Sequence, residues 1–335
     1  MNARAPVALP LLLGTLAAIL VLLSLASLAV GYATLDVGAA VAQWLQGEST
    51  LATLILIELR IPRTLLAILV GGSLGLAGAA LQGLLRNPLA EPGILGVSSC
   101  AAFGAVIAFY SGASAAAPLA LPLAGIAGAL VAVGLLYALA GRDASTLTLI
   151  LAGMAINGFA AAATALALNL SPNPFAVTEI VFWMMGSLAD RSMVHLLLAA
   201  PLMLTGCALL LTSSRALDAL TLGEDTAASL GVRLARHRFI LVLGTALAVG
   251  SGVAVSGAVG FVGLVAPHLM RPWVAHQPSR LLIASALAGA VLVTSADIAI
   301  RLITIGPELK LGVVTALIGA PFFLVLVLRL RRQTI

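Results

Sequence analysis

Hydrophobic positions in this chain gather into long uninterrupted runs, separated by brief polar or charged turns, rather than into the short alternating segments of a membrane β-barrel. Runs near residues 8–31, 62–86, 94–110, 117–140, 144–168, 192–213, 237–256, 260–271, 280–303 and 311–330 predict about ten membrane-crossing helices, since roughly 17 to 25 apolar residues suffice to cross a bilayer. The run near 260 is too short to cross alone and carries Pro267, so it reads as a half-helix joined to an irregular segment. Lipid tolerates such a segment only where protein or a cavity covers its backbone. The first apolar stretch, residues 7–30, exceeds the 7 to 15 residues of a secretory signal core and predicts an uncleaved first span.

Between two runs lies the longest polar loop, residues 213–237, "SSRALDALTLGEDTAASLGVRLARH". Its Leu217, Leu220, Leu222, Ala227 and Leu230 alternate with charge, and Gly223 and Gly231 punctuate two short helical stretches. An interfacial helix is one reading, but the acidic "GEDTAAS" centre would be repelled by anionic headgroups. A docking surface for a cytoplasmic protein is the reading its composition favours. Residues 65–92 and 240–267 also resemble each other: each has a Gly/Ala-rich span, a broken stretch and a closing proline. An inverted repeat and low-complexity mimicry both explain that likeness.

Composition turns the pattern into a class. Of the 335 residues 61% are hydrophobic and 9% charged, and mean hydropathy is +1.17. No water-soluble domain of this length carries that without large exposed apolar patches. The 33 glycines and abundant alanines suit helices that approach closely through small residues. Cys100 and Cys207 fall inside apolar runs and read as small hydrophobes rather than halves of a disulfide.

Charge then orients the chain. With the N-terminus cytoplasmic, the inner side receives Arg4, Arg86, Arg142, Arg215, Arg233, Arg236, Arg238, Arg271, Arg280, Arg329, Arg331 and Arg332, which is 12 of the 17 Lys and Arg residues. The outer side receives Arg60, Arg63, Arg191, Arg301 and Lys310. This bias predicts N- and C-termini both in the cytoplasm of a multi-pass protein in the inner, or cytoplasmic, membrane. The net charge of +5 therefore reports topology, not nucleic-acid binding.

Catalytic chemistry is hard to assemble. His195, His237, His268 and His276 lie at span ends or in loops without a metal-ligand spacing, so neither a metal nor a catalytic site is expected. Asp297 is the one carboxylate placed within a span, four residues before Arg301, where one helix face lets them pair. A self-paired acid is a poor relay for an ion-coupled transporter. Asn157 reads as a bond to a neighbouring helix more readily than as a pathway residue. The sole lysine, Lys310, is on the outer side, so no P-loop can reach ATP from this chain. Any ATPase must be a separate polypeptide, with ATP and Mg on that partner and no cofactor here.

"RIPRTLLAILVGGSLGLAGAALQGLLRNPLAEPGILGVSS", "VFWMMGSL", "LGVRLARHRF", "SGAVGFVGLVAPHLMR", "ADIAIR" and "ELKLGVVTALIGAPFFLVLV", six motifs in order, resemble the FecCD/BtuC-type permeases of type II ABC importers. These take up ferric siderophores, haem and vitamin B12. The resemblance implies an all-α polytopic fold of about ten transmembrane helices, one permease domain over residues 1–335. It also implies a homodimer, two cytoplasmic ATPase subunits and an external, periplasmic substrate-binding protein. At matching positions it implies that Arg60, Arg63 and Arg301 dock carboxylates of the binding protein. It further implies that Leu217, Leu220, Leu222, Gly223, Glu224, Leu230 and Gly231 belong to the loop that couples to the ATPase. Residues 160–187 fall where the family places path-lining and external gating elements. The cargo expected is an iron chelate, a ferric siderophore or haem, with cobalamin as the alternative. The more distant alternative is an ion-coupled secondary transporter.

Overall fold

The computed structural model describes residues 8–31, 33–141, 144–171, 173–303 and 308–333; for residues 327 and 329–333 it describes the backbone only. Arg4 and Arg142 of the inner charge set, and the side chains of Arg329, Arg331 and Arg332, lie outside the described residues.

All regular structure among the described residues is helical. In chain order the helices of six or more residues are α1 (Leu9–Ala29), α2 (Val37–Leu45), α3 (Leu51–Leu84, with a π-helical turn over Ile55–Arg60), α4 (Val97–Tyr110), α5 (Ala120–Ala140), α6 (Thr146–Asn169) and α7 (Pro174–Met184). There follow α8 (Met193–Thr212), α9 (Ser214–Leu220), α10 (Glu224–Ser229), α11 (Leu234–Ser256), α12 (Val262–Met270), α13 (Pro278–Leu302) and α14 (Leu311–Gln333). Seven of these, α1, α3, α5, α6, α8, α11 and α13, are long and apolar enough to cross a membrane. Each of the ten predicted runs has a helix. Helices α2 and α7 and the first three turns of α3 were not predicted, because they lie in shorter, more mixed sequence.

Helices α3 and α11 form the interior, each with 78% of its most apolar stretch buried, while α1, 11% buried, runs along the outside against α13. What lets α3 sit so deep is missing side chains. A Cβ on Gly75 would stand 2.0 Å from the Ser285 carbonyl oxygen of α13, and one on Gly78 would stand 1.8 Å from that of Gly263 in α12. Backbones at that separation gain dispersion contacts in a medium where burial from water supplies no drive between helices.

The half-helix near residue 260 is present. Helix α11 stops at Gly257, whose φ of 69° turns the chain, and α12 starts after Phe261. The irregular backbone is covered by protein on one side and faces a cavity on the other: Ser187 N–H donates to Ser256 O at 2.7 Å, while Ala258 and Gly260 are exposed. Asn157 ties helices together, accepting from Ser99 Oγ across α6 and α4.

Charge segregates to the two ends of the bundle. The five residues assigned to the outer side gather at one end: Arg60, Arg63, Arg191 and Arg301 line one cavity, and Lys310 shares the next with Arg191. Arg238 and the α9–α10 loop occupy the opposite end.

Candidate docking and coupling sites

At the arginine end, α1 finishes with carbonyls that have no intrahelical partner. Two guanidinium groups answer them. Arg60, from α3, donates through Nη1 to Leu28 O at 2.6 Å and Ala29 O at 2.9 Å, and through Nη2 to Ala33 O. Arg301, from the last turn of α13, donates through Nη1 to Ser27 O at 2.7 Å and Val30 O at 2.8 Å, and through Nη2 to Ser27 Oγ at 2.5 Å. Cations at a helix C-terminus also meet the negative end of its dipole.

Between them lies Asp297, 1% exposed. Arg63 reaches its Oδ1 through Nε at 3.0 Å and Nη2 at 2.8 Å, and Arg301 Nη2 lies 2.8 Å from Oδ2. Glu308 also pairs with Arg63 Nη2. Arg301 thus pairs with Asp297 and also holds the end of α1.

A cavity of about 320 Å³ opens onto this network, lined by Arg60, Arg63, Arg191, Arg301, Asp190 and Glu308 among others. Four guanidinium groups stand against two lining carboxylates and the buried Asp297 behind them, which leaves a net positive charge at the cavity. Arg191 Nε has no hydrogen-bond partner among the described residues, and burial pushes the Arg191 pKa down while neighbouring Asp190 pulls it back up. Adjoining it is a second cavity of about 450 Å³, lined in part by Glu179, Phe182 and Trp183 of α7, His195 of α8 and Lys310. The structure therefore brings Arg60, Arg63 and Arg301 to one mouth, as the family resemblance implied, but with most of their donors turned inward.

At the opposite end the loop folds as two short helices, with Gly223 (φ 108°) before α10 and Gly231 (φ 84°) after it. Its predicted residues divide by direction. Leu217 and Leu220 are buried, Leu217 facing Gly83 of α3, whereas Leu222 and Leu230 are 65% and 64% exposed. The loop is pinned to the bundle twice. Asp218 Oδ1 accepts from Ser279 N–H at 2.8 Å, in the first turn of α13. Glu224 Oε1 accepts from Arg238 Nη2 at 2.7 Å and from Thr146 Oγ1 at 3.1 Å, while Arg238 Nη1 donates to Ala144 O at 2.8 Å. The hydrogen bond from Arg238 pulls the Glu224 pKa down, against a smaller opposing effect of burial.

Sequence reasoning missed Glu308, Arg238 and Thr146. Each acts through a partner far along the chain, and no local spacing marks it. Among the described residues no three His, Cys, Asp or Glu side chains stand close enough to hold a metal ion.

A third surface is apolar. Met184, Met185, Ala258, Gly260, Gly312 and neighbouring α14 residues line an open cavity of about 690 Å³ where the α7 end, the α11–α12 break and the start of α14 meet.

A family model described as the FecCD transport family matches residues 19–329. An uncharacterized ABC transporter permease protein of Bacillus subtilis, YvrB, is 39% identical over 290 residues, covering 85% of this chain and 82% of that protein. The vitamin B12 import system permease protein BtuC of Salmonella typhi is 41% identical over 278 residues, 82% of this chain and 84% of that one. Among solved structures, one described as an inward-facing metal-chelate type ABC transporter superposes with a TM-score of 0.85 at 33% identity, over 96% of this chain and 99% of its own. PsaBC from Streptococcus pneumoniae, at 17% identity and a TM-score of 0.53, shares the fold alone.

Proposed function

The chain belongs to the FecCD transport family and is an ABC importer permease of the FecCD/BtuC type, and from that premise we propose that its cargo is a bulky metal chelate, in the first place an iron chelate such as a ferric siderophore or haem. The observation that carries the reading is the whole-chain similarity, at a TM-score of 0.85, to a transporter described as metal-chelate type. A second reading, cobalamin, is favoured by the 41% identity to a vitamin B12 permease. Both cargoes need a wide, weakly binding path. The apolar cavity beside Met184, Met185 and Gly312 suits the face that two copies of the chain would share along such a path.

In this reading two separate ATPase subunits bind the α9–α10 loop, through exposed Leu222 and Leu230, on the cytoplasmic side. That side also receives both termini, with the protein in the inner membrane. A binding protein docks at the opposite, arginine-rich mouth. Arg60, Arg63 and Arg301 create its positive field from buried positions, and a docking carboxylate shares Arg63 with Glu308 or reaches Arg191. Weak, salt-sensitive pairs suit a partner that must arrive and leave.

The test is reconstitution of the chain with its ATPase and binding protein in vesicles, with labelled ferric siderophore, haem and cobalamin offered in parallel. ATP-dependent uptake of an iron chelate supports the first reading, and uptake of cobalamin alone supports the second. Gradient-driven uptake by this chain in ATP-free vesicles would overturn both.

A further inference from the structure

The two pins that hold the α9–α10 loop end on helices that differ in how deeply they are buried. Asp218 joins it to α13, and α13 is locked to α3 by backbone contacts that leave no room for a Cβ at Gly71, Gly75 or Gly289. That pin fixes the loop to the core. Glu224, in contrast, is joined to the N-terminus of α6, a helix buried over only 33% of its most apolar stretch. Arg238, 8% exposed, completes the join by holding both Glu224 and the Ala144 carbonyl that precedes the helix.

Helix α6 has 24 residues, a rod of about 36 Å at 1.5 Å per residue, long enough to reach from one membrane face to the other. Helix α7 begins at Pro174, five positions after α6 ends at Asn169, and lines the cavity next to the arginine mouth through Glu179, Phe182 and Trp183. A displacement at Thr146 is therefore carried along α6 to within five positions of the start of α7.

We propose that Glu224, Arg238 and Thr146 form a strut that makes the loop and the foot of α6 move as one body, so that α6 carries the loop's displacement to α7 and the outer cavity. The inference rests on the reading of this loop as the ATPase contact. Charge-assisted hydrogen bonds suit the task because they are directional and short, whereas an apolar contact lets the loop slide. The three residues are positioning residues; none needs to touch cargo or nucleotide.

The test uses the full complex, permease with ATPase and binding protein, in vesicles, and reads ATP hydrolysed per substrate imported. That ratio does not depend on how much complex has folded. For Glu224→Ala and, separately, Thr146→Val, the strut predicts a rise in the ratio, for Glu224→Ala by up to about fivefold, as the loss of a half-exposed charge-assisted pair implies. An unchanged ratio in both variants, with wild type importing normally, overturns the strut and leaves the importer reading intact. Failure of the wild-type complex to import under ATP overturns the reading beneath it. A second measurement guards against misfolding: Thr146→Cys with Glu224→Cys, cross-linked by oxidation, keeps import if loop and α6 move together. Loss of import on cross-linking that returns on reduction overturns the proposal.

Discussion

Replacing Asp297 by Asn preserves the side chain's shape and removes its charge at the centre of the arginine mouth. The carboxylate is 1% exposed and meets Arg63 and Arg301, each at 2.8 Å. Breaking a buried pair by neutralising one partner costs about 3 to 5 kcal/mol, because the remaining charge stays in a poorly solvated place. Both arginines keep other partners here, Arg63 on Glu308 and Arg301 on Ser27 and Val30. The loss therefore belongs near the lower limit, about 3 kcal/mol, or roughly a hundredfold in the ratio of folded to unfolded chain. Unfolding of the purified chain in mixed micelles by rising dodecyl sulfate, followed by helical circular dichroism, measures it. Exposed Glu48→Gln is the control and shifts stability by no more than about 0.5 kcal/mol. Wild-type stability of Asp297→Asn would refute the reasoning. Wild-type stability with abolished uptake would do more, since it would give Asp297 the role of an ion relay.

Other perturbations probe other links. Gly78→Ala puts a methyl group 1.8 Å from a backbone oxygen; since only backbone can yield, a loss of about 3 kcal/mol or more is expected in the same unfolding assay. Gly134→Ala, with nothing within 4 Å, is neutral or slightly stabilising there through helix propensity. Leu222→Asp lowers co-purification of the ATPase without moving the unfolding midpoint, whereas Leu217→Asp, at a fully buried site, lowers that midpoint itself. The Glu224 pKa lies below its ordinary 4.5, so its pairing with Arg238 stabilises the chain at neutral pH and fades as pH falls through the depressed value. The stability difference between wild type and Glu224→Gln should therefore shrink in acid, and a difference constant from neutral to acid pH would contradict the pairing.

The spans were legible because lipid makes them a local property. A segment crossing hydrocarbon must satisfy its own backbone and present apolar side chains along its length, so its signature is written in consecutive residues. The same holds for the loop, where Gly223 and Gly231 mark the ends of α10 by the positive φ they adopt. Helix α7 was less legible, since its eleven residues carry Glu179 and open with a proline.

The sequence by itself thus determined an all-helical membrane chain, the positions of its crossings, the two-helix loop and the division of its cationic residues between two ends. Tertiary structure alone decided what those cations do. Arg60 meets α1 carbonyls 31 and 32 positions away, Arg63 meets Asp297 234 positions away, and Arg301 meets Ser27 across 274. A guanidinium on a long flexible stem can turn to water, to a partner or inward. Which it does depends on the helix end that packing brings beside it, and the spacing of residues along one chain does not encode that neighbour.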